Sequence, residues 1–219
     1  MKFLTLEMHC DPMCRDSEQD TPLHRAAWNG HIDVVKFLTL EMHCDPTSRD
    51  VNSETAIHKA VRKGHLEITR FFISDHKCDP NIESPDGETF LHWAAQEGHL
   101  HIVKYLTDEQ GSDPSYLGAR GLGYTPLHTA AQNGHIDIVK FFTLEKHCDP
   151  MLRDRDNNAA LHIAVLQGRF EIVRFLIEEL KCPPDIAGQD NQWIPFEMAV
   201  KTHHFDVARY LQEHSEYLT

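Results

Sequence analysis

Cysteine and histidine have the most chemistry to offer in this sequence, and both recur on a fixed beat. The string KFLTLEMHCDP occurs at residues 2–12 and again at 36–46. Cys10, Cys44 and Cys78 stand 34 residues apart, as do Cys148 and Cys182. His9, His43 and His147 precede three of these cysteines. Such pairs could ligate zinc, exchange disulfides or pack. Zinc needs about four ligands converging on one point. A disulfide needs Cα atoms within roughly 7 Å, whereas packed helices lie roughly 8–10 Å apart. In the other copies Lys77, Gly111 and Lys181 take the histidine place, and neither lysine nor glycine replaces a ligand. Gly, His and Lys share another use, ending a helix. Ser112 occupies the cysteine place in GSDP, so the position asks for a small side chain. The column reads as compact packing residues. Cys14, off the column, leaves a local Cys10–Cys14 metal or disulfide pair open.

The chain has 17 histidines, and most follow the same beat. TPLHRAAWNGH at 21–31 returns as TAIHKAVRKGH at 55–65, TFLHWAAQEGH at 89–99, TPLHTAAQNGH at 125–135 and AALHIAVLQGR at 159–169, with a worn copy from Ile194. His24, His58, His92, His128 and His162 hold one place in it. His31, His65, His99 and His135 hold another. A catalytic group is expected once, in a cleft, beside a partner that differs from its surroundings. Nothing here is singular in that way. The reading is non-enzymatic, with no cofactor and no metal.

The elements that carry these residues can be read from each copy. Thr21 is a good helix N-cap and Pro22 fits the first helical position. Leu23, Ala26 and Ala27 give a short helix with a small-residue face. Gly30 ends it in a conformation other residues resist. Ile32, Val35 and Leu38 stripe a second helix. The following Pro, Asp, Asn and Ser make a projecting turn. One unit cannot bury its own apolar faces, but stacked units can.

In these motifs the chain resembles the ankyrin-repeat family over nearly its whole length. The resemblance implies an all-α solenoid of helix–turn–helix units with projecting β-turn fingers. It also implies that the first set of histidines hydrogen-bonds backbone between units. The usual unit has 33 residues; here it has 34, with one extra near the end of the second helix. The expected division is a half repeat at 1–20, repeats at 21–54, 55–88, 89–124, 125–158 and 159–193, and a capping repeat at 194–219. The start inside a repeat suggests a piece of a longer array. The longer finger of the 89–124 unit, with Gly118, Gly121 and Gly123, is expected to be the most mobile part.

Charge and hydropathy narrow the partners. The formal charge is −13, from 34 acidic and 21 basic residues. That surface repels phosphates, so no nucleic acid is expected, and it favours a basic partner segment. No apolar run approaches a membrane span, and Glu7 interrupts the N-terminal one too early for a signal peptide. The expectation is a monomer in the reducing cytoplasm, unless a secretion signal lies outside this sequence.

The resemblance implies protein binding through a concave face made of fingers and first helices. Positions that differ between copies are free to specialise. The residue before each motif reads Asp20, Glu54, Glu88, Tyr124, Asn158, Trp193. Nearby stand Trp28, Arg62, Lys63, Trp93, Glu97, Asn133 and Arg155. These thirteen are the candidate contacts; the column before each motif is acidic in its first half, with a basic spot at Arg62–Lys63, and carries aromatics in its second. The family's diversity also accommodates a microbial effector acting on host proteins, or the recognition segment of a larger enzyme or channel.

Overall fold

The computed structural model describes residues 11–118, 121–188 and 193–215. Among them twelve helices form six helix–turn–helix pairs. The first helices are α1 Pro22–Trp28, α3 Ala56–Arg62, α5 Phe90–Gln96, α7 Pro126–Asn133, α9 Ala160–Leu166 and α11 Pro195–Lys201. Their partners are α2 Ile32–Lys36, α4 Leu66–Ser74, α6 Leu100–Lys104, α8 Ile136–Lys140, α10 Phe170–Glu178 and α12 Phe205–His214. Three second helices continue as wide π-helical turns, at Phe37–Glu41, Tyr105–Glu109 and Phe141–Glu145. The described residues hold no strand, so the all-α reading stands. The expected half repeat falls largely on residues 1–10, outside the described residues, as does Cys10 of the Cys10–Cys14 pair. Ala119 and Arg120 of the long finger also lie outside them.

Neighbouring first helices pack more extensively on one another than neighbouring second helices do. Alanine makes this possible: Ala27, Ala60, Ala94, Ala95, Ala130, Ala131, Ala164 and Ala199 are fully buried. Larger core residues come from both layers, such as Leu23, Phe90 and Leu161 from first helices and Phe72, Ile102 and Leu176 from second helices.

The extra residue of each unit has a definite place. The N–H of Met42, His76, Gln110, Lys146 and Leu180 each reaches a carbonyl five residues back, on Phe37, Phe71, Tyr105, Phe141 and Phe175 (3.1–3.4 Å). A wider turn absorbs one residue without breaking the helix. The next residue takes left-handed backbone: φ is 53° at His43, 57° at Lys77, 70° at Gly111, 54° at His147 and 57° at Lys181. The cysteine column follows, and the N–H of Cys44, Cys78, Ser112, Cys148 and Cys182 bonds six residues back at 2.9–3.1 Å. This seven-to-one bond, one residue longer than the usual helix-ending bond, closes the helix end. Cys44, Ser112, Cys148 and Cys182 are buried and Cys78 is half-buried. Burial raises the four thiols above their ordinary range. The column thus ends helices and fills small gaps.

Fingers close by a backbone bond across their base. Asp16, Asp50, Ser84 and Asp154 donate to the carbonyl four residues on, at Asp20, Glu54, Glu88 and Asn158 (2.8–3.1 Å). The same bond spans six residues from Gly118 to Tyr124 and five from Gly188 to Trp193. Extra length in those units is therefore looped out beyond an unchanged base.

The glycine between paired helices meets two demands. Its φ is positive, 76° at Gly64 and 80° at Gly98. A Cβ at Gly30, Gly64, Gly98 or Gly168 would also lie 2.5–2.8 Å from the ring of His65, His99, His135 or His204 in the next repeat. Gly111 has the first demand only: at φ 70° its Cβ would meet nothing within 4 Å. Gly111→Ala should therefore cost about 1–2 kcal/mol, the left-handed penalty. Gly64→Ala should cost about 1 kcal/mol more, because the ring of His99 must also move and its hydrogen bond weaken. Urea unfolding of both variants measures the difference; equal losses would show that the ring imposes no constraint.

Candidate partner-binding face

Each motif histidine sits on the third residue of a first helix and faces backward. The N–H of Thr21, Thr55, Thr89, Thr125 and Ala159 donates to Nδ1 of His24, His58, His92, His128 and His162 at 3.1–3.2 Å. Four threonine hydroxyls approach the same Nδ1 at 2.7–2.9 Å. A backbone N–H can only donate, so Nδ1 accepts and the proton sits on Nε2. That Nε2–H reaches into the next finger: His24 to Glu54 O (3.2 Å), His92 to Tyr124 O (2.9 Å), His128 to Asn158 O (3.2 Å) and His162 to Ile186 O (2.9 Å). A second set points the other way. His65, His99, His135 and His204 donate to Trp28, Arg62, Gln96 and Leu166 carbonyls of the preceding repeat, and Arg169 does the same to Gln132 (2.7–3.2 Å). Both sets are structural ties.

The candidate contacts fall into distinct surroundings. Asp20 and Glu54 were expected on an exposed acidic groove, and the structure overturns that: they are 5% and 7% exposed. They surround Lys59, itself 7% exposed. Its Nζ lies 2.5 Å from Asp50, 3.0 Å from Glu54 and 3.7 Å from Asp20. Arg25 pairs with Asp20 at 3.2 Å and Arg62 with Glu54 at 2.7 Å. A buried carboxylate persists only when paired, and these are paired inward. Desolvation alone would lower the Lys59 ammonium, but its carboxylate partners outweigh this and raise it. Desolvation likewise pushes Asp50 up, and Lys59 with backbone N–H groups brings it below the ordinary range. Asn158 is also buried, its carbonyl and N–H both engaged within the fold. Lys59 stands in the same variable column as Arg25 and Trp93; an isolated lysine there, after acidic residues in two adjacent fingers, was the available signal.

The aromatic candidates remain half-buried, and Trp28 and Trp93 form a connected patch with their charged neighbours. Lys63 Nζ lies 4.1 Å from the Trp28 ring centre. Arg62 covers Trp93 at 5.6 Å and approaches Glu97 at 3.9 Å. Trp93 Nε1–H donates to Glu88 at 3.0 Å. Burial raises the Glu88 carboxyl, and the indole bond only partly offsets it. Trp28, Lys63, Arg62, Trp93, Glu88 and Glu97 thus belong together across three repeats. Tyr124 stacks on His128 at 5.8 Å, and burial pushes its hydroxyl up to about 12. Asn133 bonds the Thr129 carbonyl within α7. Arg155 lies against the long finger, donating to Gly121 O at 3.2 Å. Trp193 stands apart from the patch, with Lys201 Nζ 4.3 Å from its ring.

With this geometry in place, family models place the chain. One described as ankyrin repeats (3 copies) matches residues 24–118, 57–154 and 127–218, and one described as ankyrin repeats (many copies) matches 4–39. The chain belongs to the ankyrin-repeat family. Comparison with curated proteins gives no match. Ankyrin repeats are generally protein–protein interaction modules. No helix of the described residues is long and apolar enough to cross a membrane.

Two outcomes follow from the ties and the ion cluster. Burial holds His58, His128 and His162 down to about 4, and lowers His24 and His92. The unfolded chain binds these protons near pH 6.5, so the histidines should make stability fall as pH drops from 6.5 to about 4. Each histidine contributes a slope of at most about 1.4 kcal/mol per pH unit. Glu88 and Asp154, raised by burial, act in the opposite sense but are fewer. Urea unfolding from pH 7 to 5 should show this fall, with a shallower slope in His162→Gln. Separately, Lys59→Ala should cost about 3–5 kcal/mol, since it strands buried carboxylates. Exposed Lys63→Ala should stay within about 0.5 kcal/mol.

Proposed function

We propose that this ankyrin array is a non-enzymatic recognition module that binds a protein partner on its first-helix and finger face. The observation behind this reading is the linked patch of Trp28, Lys63, Arg62, Trp93 and Glu88, continued toward Tyr124. Indole and phenol rings are favoured anchors, and those of Trp28 and Trp93 are already held by cations or a carboxylate in one arrangement. Little side-chain freedom is left to lose on binding. Trp193 with Lys201 offers a second, separate anchor.

The charge side of recognition differs from the sequence expectation. The whole chain is acidic and attracts basic segments at long range. On this face, however, Asp20 and Glu54 are neutralised within the fold, and Lys63 is exposed beside Trp28. Aromatic anchoring, not an acidic groove, sets the contact. The non-enzymatic part rests on the histidines, whose repeated sets are spent on ties between repeats. Free thiols at Cys14, Cys44, Cys78, Cys148 and Cys182 favour a reducing compartment and action as a monomer without disulfide cross-links.

A displayed library of protein fragments, selected on the intact chain, tests this reading. Selected clones should lose at least about tenfold in affinity for Trp28→Ala/Trp93→Ala, more than about 1.4 kcal/mol. They should keep their affinity for Leu40→Ala/Leu144→Ala, which removes exposed side chains on the second-helix side. Loss with the second pair and retention with the first would place recognition on the wrong face.

A further inference from the structure

One junction in the stack lacks the histidine tie to the following finger, and also an arginine tie that two other junctions carry. At four junctions a motif histidine donates to the next finger, but His58 does not. Its ring packs against Phe90 and Trp93, with centres 4.7 and 4.9 Å apart. Phe90 occupies the first helical position that holds Pro22, Ala56, Pro126, Ala160 and Pro195 elsewhere. The second tie is an arginine. Arg15 and Arg153 each donate to a backbone carbonyl 34 residues on, at Arg49 and Ala187 (2.8 Å). Arg49 keeps the bond to its own finger that Arg15 and Arg153 also make, at Ser53 O (2.6 Å), but has none to the next repeat.

A cavity of about 410 Å³ lies at this junction, lined by Arg49, Ile57, His58, His76, Lys77 and Ile82 among others. The equivalent place one repeat later holds only about 190 Å³. There Tyr116 stands for Ile82 and Glu83 for Arg49, and the tyrosine hydroxyl donates to that glutamate. The larger cavity is therefore a local departure in side-chain size and charge sign. Its charged lining is Arg49 and Lys77 against Asp79, in a chain of net charge −13.

We propose that this cavity binds a small organic anion, a carboxylate on an apolar body of about ten non-hydrogen atoms. The carboxylate is taken by the Arg49 guanidinium, with the Lys77 ammonium beside it on the same lining. The apolar body lies against Ile57, Ile82 and Phe90. This site is separate from the proposed partner face.

The probes are benzoate and its neutral near-isostere benzamide, titrated into the isotope-labelled chain and followed by backbone amide shifts. Benzoate should give saturable shifts confined to residues 47–49, 58, 76–79 and 82, with a dissociation constant of about 1 mM. Benzamide should bind at least about tenfold more weakly. Exposed Arg49→Gln should bring benzoate down to the benzamide level. Ile82→Tyr, which copies the next junction, should remove saturable shifts for both. Equal binding of the two probes would overturn the anion assignment. Absence of saturable benzoate shifts to about 10 mM, or full binding by Ile82→Tyr, would overturn the cavity itself. Should Ile82→Tyr fail to fold, the Arg49→Gln comparison still decides.

Discussion

Everything in this array depends on a neutral imidazole held between two repeats. One nitrogen accepts from the cap of its own helix, and at every motif histidine but His58 the other donates to the finger that follows. Only the uncharged ring with its proton on Nε2 does both. Because the ring is buried, the charged form is disfavoured and the geometry and the protonation state support each other. The second histidine of each unit ties backward to the preceding repeat. Its ring fills the space that the junction glycine leaves open, so glycine here answers to a neighbour as well as to its own backbone. Stacked repeats fold as nearest-neighbour couples, and these two ties are the polar part of each coupling.

The 34-residue spacing is a second regularity with a physical cause. A wide turn near the end of each second helix takes up one residue, and a left-handed residue and a small buried one follow it. Phe37, Phe71, Tyr105, Phe141 and Phe175 begin these turns. From the preceding repeat Lys36, Arg70, Lys104 and Lys140 lie over the last four rings, at 4.2–5.8 Å. The second-helix layer is thus held by a ladder of cations on aromatic faces. The fingers tolerate insertion for a different reason. Their closing bond is kept at the base, and added residues leave that bond unchanged.

Charge is distributed unevenly between surface and interior. Three carboxylates around Lys59 are buried near the first two fingers, and Arg25 and Arg62 cover two of them. This uses acidic residues that would otherwise form a binding groove, and it leaves cations and indoles facing outward. The face so produced is a patch of held aromatics rather than a field of one sign. Where the ties between fingers are absent, at His58 and Arg49, the same stacking instead leaves a cavity.

The sequence by itself determined the fold, because a period of about 34 residues with alternating helix, glycine and turn signals admits one kind of stack. It also determined the role of the cysteine column. Ser112 standing for cysteine, and Gly111 standing for histidine, exclude shared ligation and leave helix ending. The repeated histidines were legible as structural because no single copy differed in kind. Only the tertiary structure decided which variable residues face outward. Asp20, Glu54 and Trp93 vary alike along the chain, yet the first two turn inward to Lys59 while the indole stays half-exposed. That choice depends on a cation from the neighbouring repeat, and sequence columns align equivalent residues without showing which unequal ones meet. The cavity was hidden for the same reason. It arises where Phe90, Ile82 and Arg49, from three repeats, fail to close a gap that Tyr116 and Glu83 close one step later.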